Sequence, residues 1–361
     1  MSGGTMDSID GAALDARLDQ ALAAIAAGAE ELDREPRFPA EAFRALAGAG
    51  ALEAPVGAAR ADRSVLPEWR LLRRVAAADA SVGRILDGHL NAVERLEVSA
   101  GGQLRESELS RLRGGRRLLG VWGADPGPGE GSPARLRSTG PGMTLSGVKT
   151  FCSGAGGVDA ALVMVGSDDG EAPRLALVDC AEIEIDRDWY RAAGLRASES
   201  HRVVFHDAEV IGLLGDPGEL GRQPWFSRDA MRTAASWIGM FDAAAEGAFA
   251  ELARARAEDP LGQLAAGRIE ALRGTIEGWF LRGAEAATHR GELKPVAIAM
   301  RAEIDRAAKA LLETAAAACG SHPFVTGGRL DRGRRDLETF LLQHRLDPLL
   351  AGLGAERLRS R

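Results

Sequence analysis

The segment Gly147–Ala155 combines residue types that suit the binding of a cofactor. It reads GVKTFCSGA, and it follows the apolar run that closes on Val121–Pro126 and a turn-rich stretch of Gly and Pro. This order predicts a strand, a loop, a hairpin and a second strand. A glycine-rich loop that leaves a strand brings backbone N–H groups close to an anion or a polar ring edge, because Gly has no Cβ to hold the ligand away.

Two histidines lie on the apolar stripes of predicted helices. His89 shares its stripe with Ile85 and Val93, and His344 follows Leu337 and Phe340 at helical spacing. A neutral imidazole, with an ordinary pKa of about 6.5, can act as a general base. A buried ring must otherwise find hydrogen-bond partners. Each histidine is therefore either a catalytic group or a hydrogen-bonded core residue.

The elements that must position these residues fall into three regions. Residues 1–115 are predicted to be helical, with helices near 10–33, 38–48, 67–78, 81–98 and 106–112. In 116–220 short apolar runs alternate with Gly, Pro and Asp, which predicts an antiparallel sheet or barrel. In 221–361 the helical period returns in long stretches, the last from about Asp331 to Leu353, which predicts a helix bundle.

Length, charge and cysteine content narrow the class of protein. The chain has 361 residues, enough for two to three domains, and a net charge of −7, which argues against nucleic acid or an anionic membrane as partner. Its 3 Cys have no metal-type or disulfide-type spacing. Residues 1–12 contain no basic region followed by an apolar core, and no later apolar run approaches the ~20 residues of a membrane helix. We expect a cytoplasmic protein that binds small molecules, with no metal site.

The motifs and their order resemble the acyl-CoA dehydrogenase superfamily of flavoproteins over nearly the full length. The Asp125-Pro126 turn stands where that family has Glu-Pro before a Gly-rich loop, and the 147–155 segment stands where it has Gly-x-Lys-x-Trp-Ile-Thr-Asn. The Gly194-Leu-Arg196 loop precedes an apolar run like the family's last strand. The resemblance implies an N-terminal helical domain (1–115), a central antiparallel β-barrel (116–220) and a C-terminal four-helix bundle (221–361).

By the same resemblance, a bound flavin would contact two segments of the chain. The residues implied along its pyrimidine side are Val121, Trp122, Gly123 and Ala124. Phe151 would cover one face of the ring, and Ser153 would offer its hydroxyl to the N5 region. The alternative is that Phe151 is a barrel-core aromatic and Ser153 a turn residue.

The chain departs from the family pattern where FAD is bound. The family's Arg-x-x-Phe-Gly segment, which reaches the FAD diphosphate of a neighbouring subunit, is degenerate here, and only Arg254 or Arg256 could supply the positive charge. The expected cofactor is FAD, and the alternative is FMN or reduced flavin supplied by a reductase.

A second departure concerns the base. In the dehydrogenases a glutamate removes a substrate proton, and in one large subgroup it follows an Arg-Asp motif near the C-terminus. Counted from Arg335-Asp336, that position falls on His344, and Glu246 on the first bundle helix is a possible substitute. The ending through His344 to Asp347-Pro348 is also similar to flavin-dependent monooxygenases of the same fold, where a histidine near the flavin serves oxygen chemistry.

Three hypotheses follow from the sequence. The first is an FAD-dependent oxidoreductase acting on the CH–CH group of an acyl thioester such as an acyl-CoA. The second is a two-component monooxygenase that uses reduced flavin and O2, and the third is a non-catalytic homologue that serves as a subunit. The catalytic candidates are His344 and His89. The resemblance also implies a homodimer or homotetramer and a flavin reductase or electron-transfer partner.

Overall fold

The computed structural model describes residues 6–53, 56–57, 64–115, 117–139, 142–166, 171–289, 291–343 and 345–361. His344 lies outside the described residues. By contacts the chain divides into two compact units, the first made of Met1–Ala61, Arg84–Arg191 and Ala197–Arg222, and the second of Asp62–Gly83, Ala192–Arg196 and Gln223–Arg361. The division into domains at 115 and 220 stays a prediction.

Helices precede and follow a block of strands along the chain. The helices are α1 (Met6–Arg34), α2 (Ala40–Gly48), α3 (Leu66–Ala78), α4 (Ala80–Ser99), α5 (Gly102–Leu112), α6 (Trp225–Arg256), α7 (Pro260–Thr288), α8 (Lys294–Cys319), α9 (His322–Val325), α10 (Arg329–Leu341) and α11 (Asp347–Arg359). The strands are β1 (Leu119–Trp122), β2 (Arg135–Thr139), β3 (Gly142–Cys152), β4 (Ala160–Val165), β5 (Arg174–Asp179), β6 (Glu184–Asp186) and β7 (His201–Leu214).

The strands of the first unit form an open sheet, and the predicted closed β-barrel is wrong. Their order is β1-β4-β5-β7-β3-β2, and β6 also pairs with β7. β1 and β2 stand at the two ends, and no ladder joins them within the described residues. The pairing is mostly antiparallel, but β1 and β4 are parallel.

The short edge strand β1 explains why the sheet stays open. Closure of a barrel requires pairing all the way round. β1 has only four residues, and Gly123 and Pro126, which weaken or end strands, follow it. Beyond β1, its continuation makes a single bridge to β3, between Ala124 and Thr150. Short apolar runs in a sequence indicate strands, but they do not report whether the first and last strands pair.

The core of the first unit lies between helices α4 and α5 and the sheet. Leu96 from α4 and Leu109 from α5 pack in one buried cluster with sheet residues such as Leu119, Leu162 and Leu177. Side chains two residues apart in a strand lie on the same sheet face, and this spacing, with the helical spacing of the α4 residues, places the side chains of the cluster together. This packing fixes β1, from which the predicted cofactor segment Val121–Ala124 continues.

The second unit is helical and is built around α6. Helices α3, α7, α8 and α10 all pack against α6, and α7 also packs against α8. Partly buried ion pairs link these helices: Arg73 on α3 binds Asp242 of α6 at 2.7 Å and Glu277 of α7 at 2.5 Å. Burial opposes the charge of Arg73, but its two carboxylate partners outweigh that effect, and the pKa of Arg73 is raised. Charged side chains thus join three helices of this unit.

The predicted helix from Asp331 to Leu353 is two helices. α10 ends at Leu341 and α11 begins at Asp347, with Pro348 in its first turn. Pro fits the first turn of a helix because that N–H has no partner within the helix. Within the described residues, no helix has both the length and the apolar character of a membrane span.

Candidate functional site

Two loops of the first unit interlock at the end of β3. The N–H of Gly154 donates to the carbonyl of Ser198 at 2.8 Å, and the N–H of Ala155 donates to the carbonyl of Glu199 at 3.3 Å. Gly154 has a φ of +77°, and a Cβ there would lie 2.8 Å from a methyl of Val158. The turn after Phe151 is therefore locked to the loop that precedes β7.

Backbone strain marks both loops. Phe151 and Glu199 have φ values of 53° and 48°, and a non-glycine residue in this left-handed region costs roughly 1–2 kcal/mol. Such conformations persist where the surroundings impose them, and they cluster at functional sites. The Phe151 ring is 58% exposed, which excludes the barrel-core alternative for this residue.

Trp189 stands against the exposed Phe151 ring. Their centroids lie 4.9 Å apart with an interplanar angle of 81°, an edge-to-face arrangement that aromatic pairs prefer. The Trp189 indole N–H donates to Glu130 at 2.7 Å. Sequence reasoning missed Trp189, although a tryptophan among Asp and Arg residues is itself a signal for a binding surface.

Glu130 connects Trp189 to the turn that follows Asp125-Pro126. Its second carboxylate oxygen accepts the N–H of Gly127 at 2.8 Å, and Arg202 donates to its backbone carbonyl at 2.9 Å. The hydrogen bond from Trp189, then that from Gly127, lowers the pKa of Glu130. The ionised carboxylate of Glu130 is consequently the form that accepts the Trp189 N–H and fixes the orientation of the indole ring.

Ser153 lies behind Phe151 in a buried hydroxyl cluster. Its Oγ is 2.8 Å from that of Ser200, and the Ser200 Oγ is 2.7 Å from that of Ser198. The Ser153 carbonyl accepts the indole N–H of Trp122 at 3.1 Å. Trp122 itself is fully buried, so this hydrogen bond anchors the Ser153 backbone to the core. Ser198 and Ser200 were not among the sequence candidates.

The segment that follows β1 is held by Lys149 and Thr150. The Lys149 ammonium, which is fully buried, donates to the Gly123 carbonyl at 3.3 Å and to the Asp125 carboxylate at 2.8 Å. The backbone N–H of Thr150 donates to the Ala124 carbonyl, and its hydroxyl donates to the Asp125 carbonyl, both at 3.1 Å. Three consecutive carbonyls are thus bound by two residues of β3. The predicted flavin-binding segments are joined side by side.

His89 is enclosed in the core of the first unit. Its Nδ1 accepts the N–H of Leu119 at 3.1 Å, and its Nε2 lies 3.0 Å from the Leu52 carbonyl, to which it donates as the neutral Nε2–H tautomer. Burial lowers the pKa of His89 from 6.5 to about 4. The ring joins α4 to the start of β1. Its catalytic role stays a prediction, as does that of His344.

The two predicted diphosphate-binding arginines lie at the end of α6 in the second unit. Arg254 pairs with Glu251 at 2.7 Å and Arg256 with Asp259 at 2.9 Å. Asp259 also accepts the N–H of Leu261 at the start of α7. Both guanidinium groups are largely exposed and engaged by acids of the same turn.

In the same unit, the Gly194-Leu-Arg196 loop is fixed to α10. The Leu195 N–H donates to Asp336 at 2.6 Å and the Gly194 N–H to Thr339 at 3.1 Å. A Cβ at Gly194 would overlap the Arg335 carbonyl, so only glycine fits. The two sequence motifs, Gly194-Leu-Arg196 and Arg335-Asp336, therefore meet in space.

Solved structures match nearly the whole chain. FMN-bound TdsC from Paenibacillus sp. A11-2 has a TM-score of 0.84 and 20% identity, covering 97% of this chain and 98% of that one. KijD3 in complex with FMN and a dTDP-sugar has a TM-score of 0.81 and 24% identity, covering 97% and 94%. Methanesulfinate monooxygenase MsuC from Pseudomonas fluorescens has a TM-score of 0.79 and 19% identity, covering 96% of each chain. The chain has the acyl-CoA dehydrogenase fold.

No protein-family model and no curated protein matches the sequence. The resemblance drawn from the 147–155 segment and its neighbours is nevertheless confirmed at the level of the fold. Within the acyl-CoA dehydrogenase fold of this chain, the open sheet carries Phe151, Ser153 and the segment after β1 on adjoining elements.

Proposed function

We propose that the protein is a flavin-dependent monooxygenase that uses reduced FMN and O2. The observation that carries the proposal is the exposed Phe151 ring, held in a left-handed conformation beside the buried Ser153 hydroxyl. An exposed, strained aromatic residue has no role in the core, and a planar ligand would cover it. The full-length match to FMN-bound TdsC and KijD3 supports the same cofactor.

The residues of the first unit fit a flavin in three ways. Phe151 offers a ring face with Trp189 standing edge-on beside it. Ser153 offers a hydroxyl in a buried setting. The segment Val121–Ala124 is rigid, because Lys149 and Thr150 hold its carbonyls. Phe151 would stack on the flavin, Ser153 would hydrogen-bond its N5 region, and the segment would line its pyrimidine edge.

When bound, reduced FMN supplies two electrons for the reduction of O2. In the net reaction one oxygen atom is inserted into the substrate and the other leaves as water, with oxidised FMN released. The protein's task is to orient the flavin, keep water away from its reacting edge and hold a proton near it. We assign the orientation of the flavin and the exclusion of water to Phe151, Trp189 and Ser153. We assign the holding and transfer of the proton to His344.

FMN is preferred over FAD because the structural neighbours TdsC and KijD3 were solved with FMN. FAD would require a positive site for its diphosphate, and the predicted groups, Arg254 and Arg256, are each paired with an acid within 3 Å. These pairs are solvent-exposed, so releasing them would cost little, and they do not decide between the two cofactors. The proposal includes a separate reductase as the source of reduced FMN and a homo-oligomeric assembly.

The substrate is proposed to be a small molecule. TdsC has been crystallised with indole and KijD3 with dTDP-3-amino-2,3,6-trideoxy-4-keto-3-methyl-D-glucose. Acyl-CoA dehydrogenation is the second candidate, because acyl-CoA dehydrogenases share the fold. That reaction needs a carboxylate base, and Glu246 is exposed and paired with Arg273 at 2.9 Å. This pairing disfavours the dehydrogenase.

Anaerobic titration of the purified protein tests the proposal. FMN and FAD are each added in oxidised and reduced form, and binding is followed by fluorescence and calorimetry. We expect reduced FMN to bind most tightly, and aerobic mixing of that complex to consume O2. Failure to bind flavin in either redox state would refute the proposal, and bleaching of bound flavin by an acyl-CoA would favour the dehydrogenase.

His344→Gln tests the proton-transfer assignment separately. We expect reduced FMN to bind with unchanged affinity and O2 to be consumed, while substrate oxygenation falls by at least about tenfold, the low end of what a general acid or base contributes. Equal product yields from the wild type and the variant would remove His344 from the mechanism and leave flavin binding unaffected.

A further inference from the structure

Lys149 engages one oxygen of the Asp125 carboxylate and leaves the other one open. The fully buried Lys149 ammonium donates to Asp125 Oδ1 at 2.8 Å, while the Asp125 side chain is 49% exposed. The second oxygen, Oδ2, accepts no hydrogen bond from any described residue. Water hydrates such an oxygen as long as no ligand covers it. The carboxylate is therefore an acceptor that is held in place on one side and open on the other.

The backbone acceptors beside this carboxylate are already engaged. The Gly123 carbonyl accepts from the Lys149 ammonium, and the Ala124 carbonyl accepts from the Thr150 N–H. The carbonyl of Asp125 itself accepts from the Thr150 hydroxyl. Hydrogen bonds to an ionised group are roughly twice as strong as those between neutral groups. Asp125 Oδ2 is consequently a stronger acceptor for an incoming N–H than any of these three carbonyls.

Asp125 stands where a bound flavin would need an acceptor. It follows directly the segment Val121–Ala124, which would line the pyrimidine edge of the ring. That edge presents N3–H between two carbonyl oxygens, and N3–H is the single N–H donor of the oxidised ring. A flavin on this segment would cover the carboxylate, and a covered carboxylate oxygen without a donor is costly. The ring brings one donor, and the carboxylate offers one unpartnered oxygen.

We propose that Asp125 Oδ2 binds the N3–H of the flavin, so that Asp125 is the residue that recognises the pyrimidine edge. This inference rests on the proposed function and assigns a group of the chain to a particular atom of the ring. The buried Lys149 ammonium neutralises the carboxylate, so a flavin that covers it does not isolate an unpaired negative charge. A site that hydrogen-bonds a ligand N–H strongly rejects an analogue that lacks it.

The probe is 3-methyl-FMN, in which a methyl group replaces the N3 hydrogen and the rest of the molecule is unchanged. The wild type should bind oxidised FMN at least about tenfold more tightly than 3-methyl-FMN, because the analogue loses a hydrogen bond to a charged group. In Asp125→Asn the Lys149 ammonium retains the amide oxygen, and the amide NH2 then faces N3–H. Two donors oppose each other, so FMN loses its advantage. We expect the ratio of the Kd for 3-methyl-FMN to the Kd for FMN to fall roughly tenfold in this variant.

Calorimetry measures both dissociation constants for the wild type, Asp125→Asn and a matched control. The control is Asp305→Asn, because the Asp305 carboxylate also binds a lysine ammonium, that of Lys309, at 2.7 Å, but lies on α8 in the second unit. Its ratio should equal that of the wild type. Urea unfolding of each apoprotein reports whether the fold is intact.

The outcomes separate this inference from the proposed function. If the wild type binds no flavin, the proposed function fails. If the wild type binds FMN but its ratio equals that of Asp125→Asn, the inference is wrong and the proposed function stands. A fall in the ratio shared by Asp305→Asn would also overturn the inference.

A measurement on the wild type decides the matter if Asp125→Asn does not fold. A carboxylate that accepts the N3–H raises the pKa of N3, because its negative charge opposes the loss of the proton. Absorbance titration of bound and free FMN compares the two pKa values. We expect the higher pKa in the bound flavin, and an equal or lower value would refute the contact with Asp125.

Discussion

Replacing His89 by Gln should remove a defined part of the pH dependence of stability. His89 is fully buried, and both ring nitrogens bond to backbone groups, the N–H of Leu119 and the carbonyl of Leu52. The ring can accept from Leu119 only while its Nδ1 is unprotonated. Protonation would thus place a charge in the core and break one hydrogen bond. The Gln side chain retains an N–H donor toward the Leu52 carbonyl, and it does not titrate.

The size of the effect follows from the pKa of His89. Burial lowers it from 6.5 to about 4 in the folded protein. The unfolded chain therefore binds the proton more tightly, so the contribution of His89 is fully present above pH 6.5 and is lost as the pH falls toward 4. The full difference is roughly 3 kcal/mol. Between pH 7.5 and pH 5 the expected loss is roughly 2 kcal/mol.

Urea unfolding at several pH values between 7.5 and 4.5 measures this effect. Acidic residues contribute their own pH dependence to both proteins, so the quantity of interest is the difference between wild type and His89→Gln. We expect that difference to shrink by about 2 kcal/mol on going from pH 7.5 to pH 5. Two parallel curves would show that His89 titrates normally and that the enclosed geometry is wrong. Loss of turnover at neutral pH in a stably folded variant would instead indicate a catalytic role.

Three further predictions concern the flavin-facing surface. Phe151→Ala should raise the Kd for FMN roughly tenfold, because the variant loses the ring that stacks on the flavin. It should change the free energy of unfolding by under about 1 kcal/mol, because the ring is exposed. Unchanged FMN binding in a fluorescence titration would contradict the stacking role. Lys149→Met should weaken FMN binding roughly tenfold, because it removes the hydrogen bond that holds the Gly123 carbonyl. The free energy of unfolding should change by at most about 2 kcal/mol, since Asp125 is half-exposed and its carboxylate stays hydrated. Equal FMN affinity of variant and wild type in calorimetry would refute the role of Lys149 in holding this segment. Hydrogen bonding lowers the pKa of Glu130 below its ordinary value of 4.5, so the carboxylate should keep its hydrogen bond to Trp189 as the pH falls through 4.5. The NMR chemical shift of the Trp189 indole N–H should therefore stay constant down to pH 4.5 and change only below it. A transition above pH 4.5 would be inconsistent with the Trp189–Glu130 hydrogen bond.

Local pattern was enough to predict most of the elements. The apolar run Ala160–Val165 is β4 with the same bounds, and the long helical period after Gly221 is α6. These elements follow from residue spacing, since the period of apolar side chains differs between strands and helices. The break between α10 and α11 was missed, although Pro348 marks the start of a first turn. The order of the cofactor motifs along the chain indicated the acyl-CoA dehydrogenase fold.

Contacts between distant residues needed the tertiary structure. The resemblance predicted Phe151 and Ser153 as cofactor-binding residues, which stays a prediction, but the amino-acid pattern gave no reason to choose Trp189, Glu130 or Ser200. Ser200 meets Ser153 across 47 residues, and Trp189 meets Glu130 across 59. The Ser153–Ser200 contact is set by the register of β3 on β7 and by the bulges within it, and Trp189 and Glu130 lie in loops between strands; single-sequence periodicity reports neither. The same limit led to the wrong barrel, because whether β1 and β2 pair is decided by the packing of the whole sheet. The sequence by itself determined most of the elements and indicated the fold. Only the tertiary structure decided which side chains pack against the two candidate flavin-binding segments, because those contacts join residues far apart in the chain.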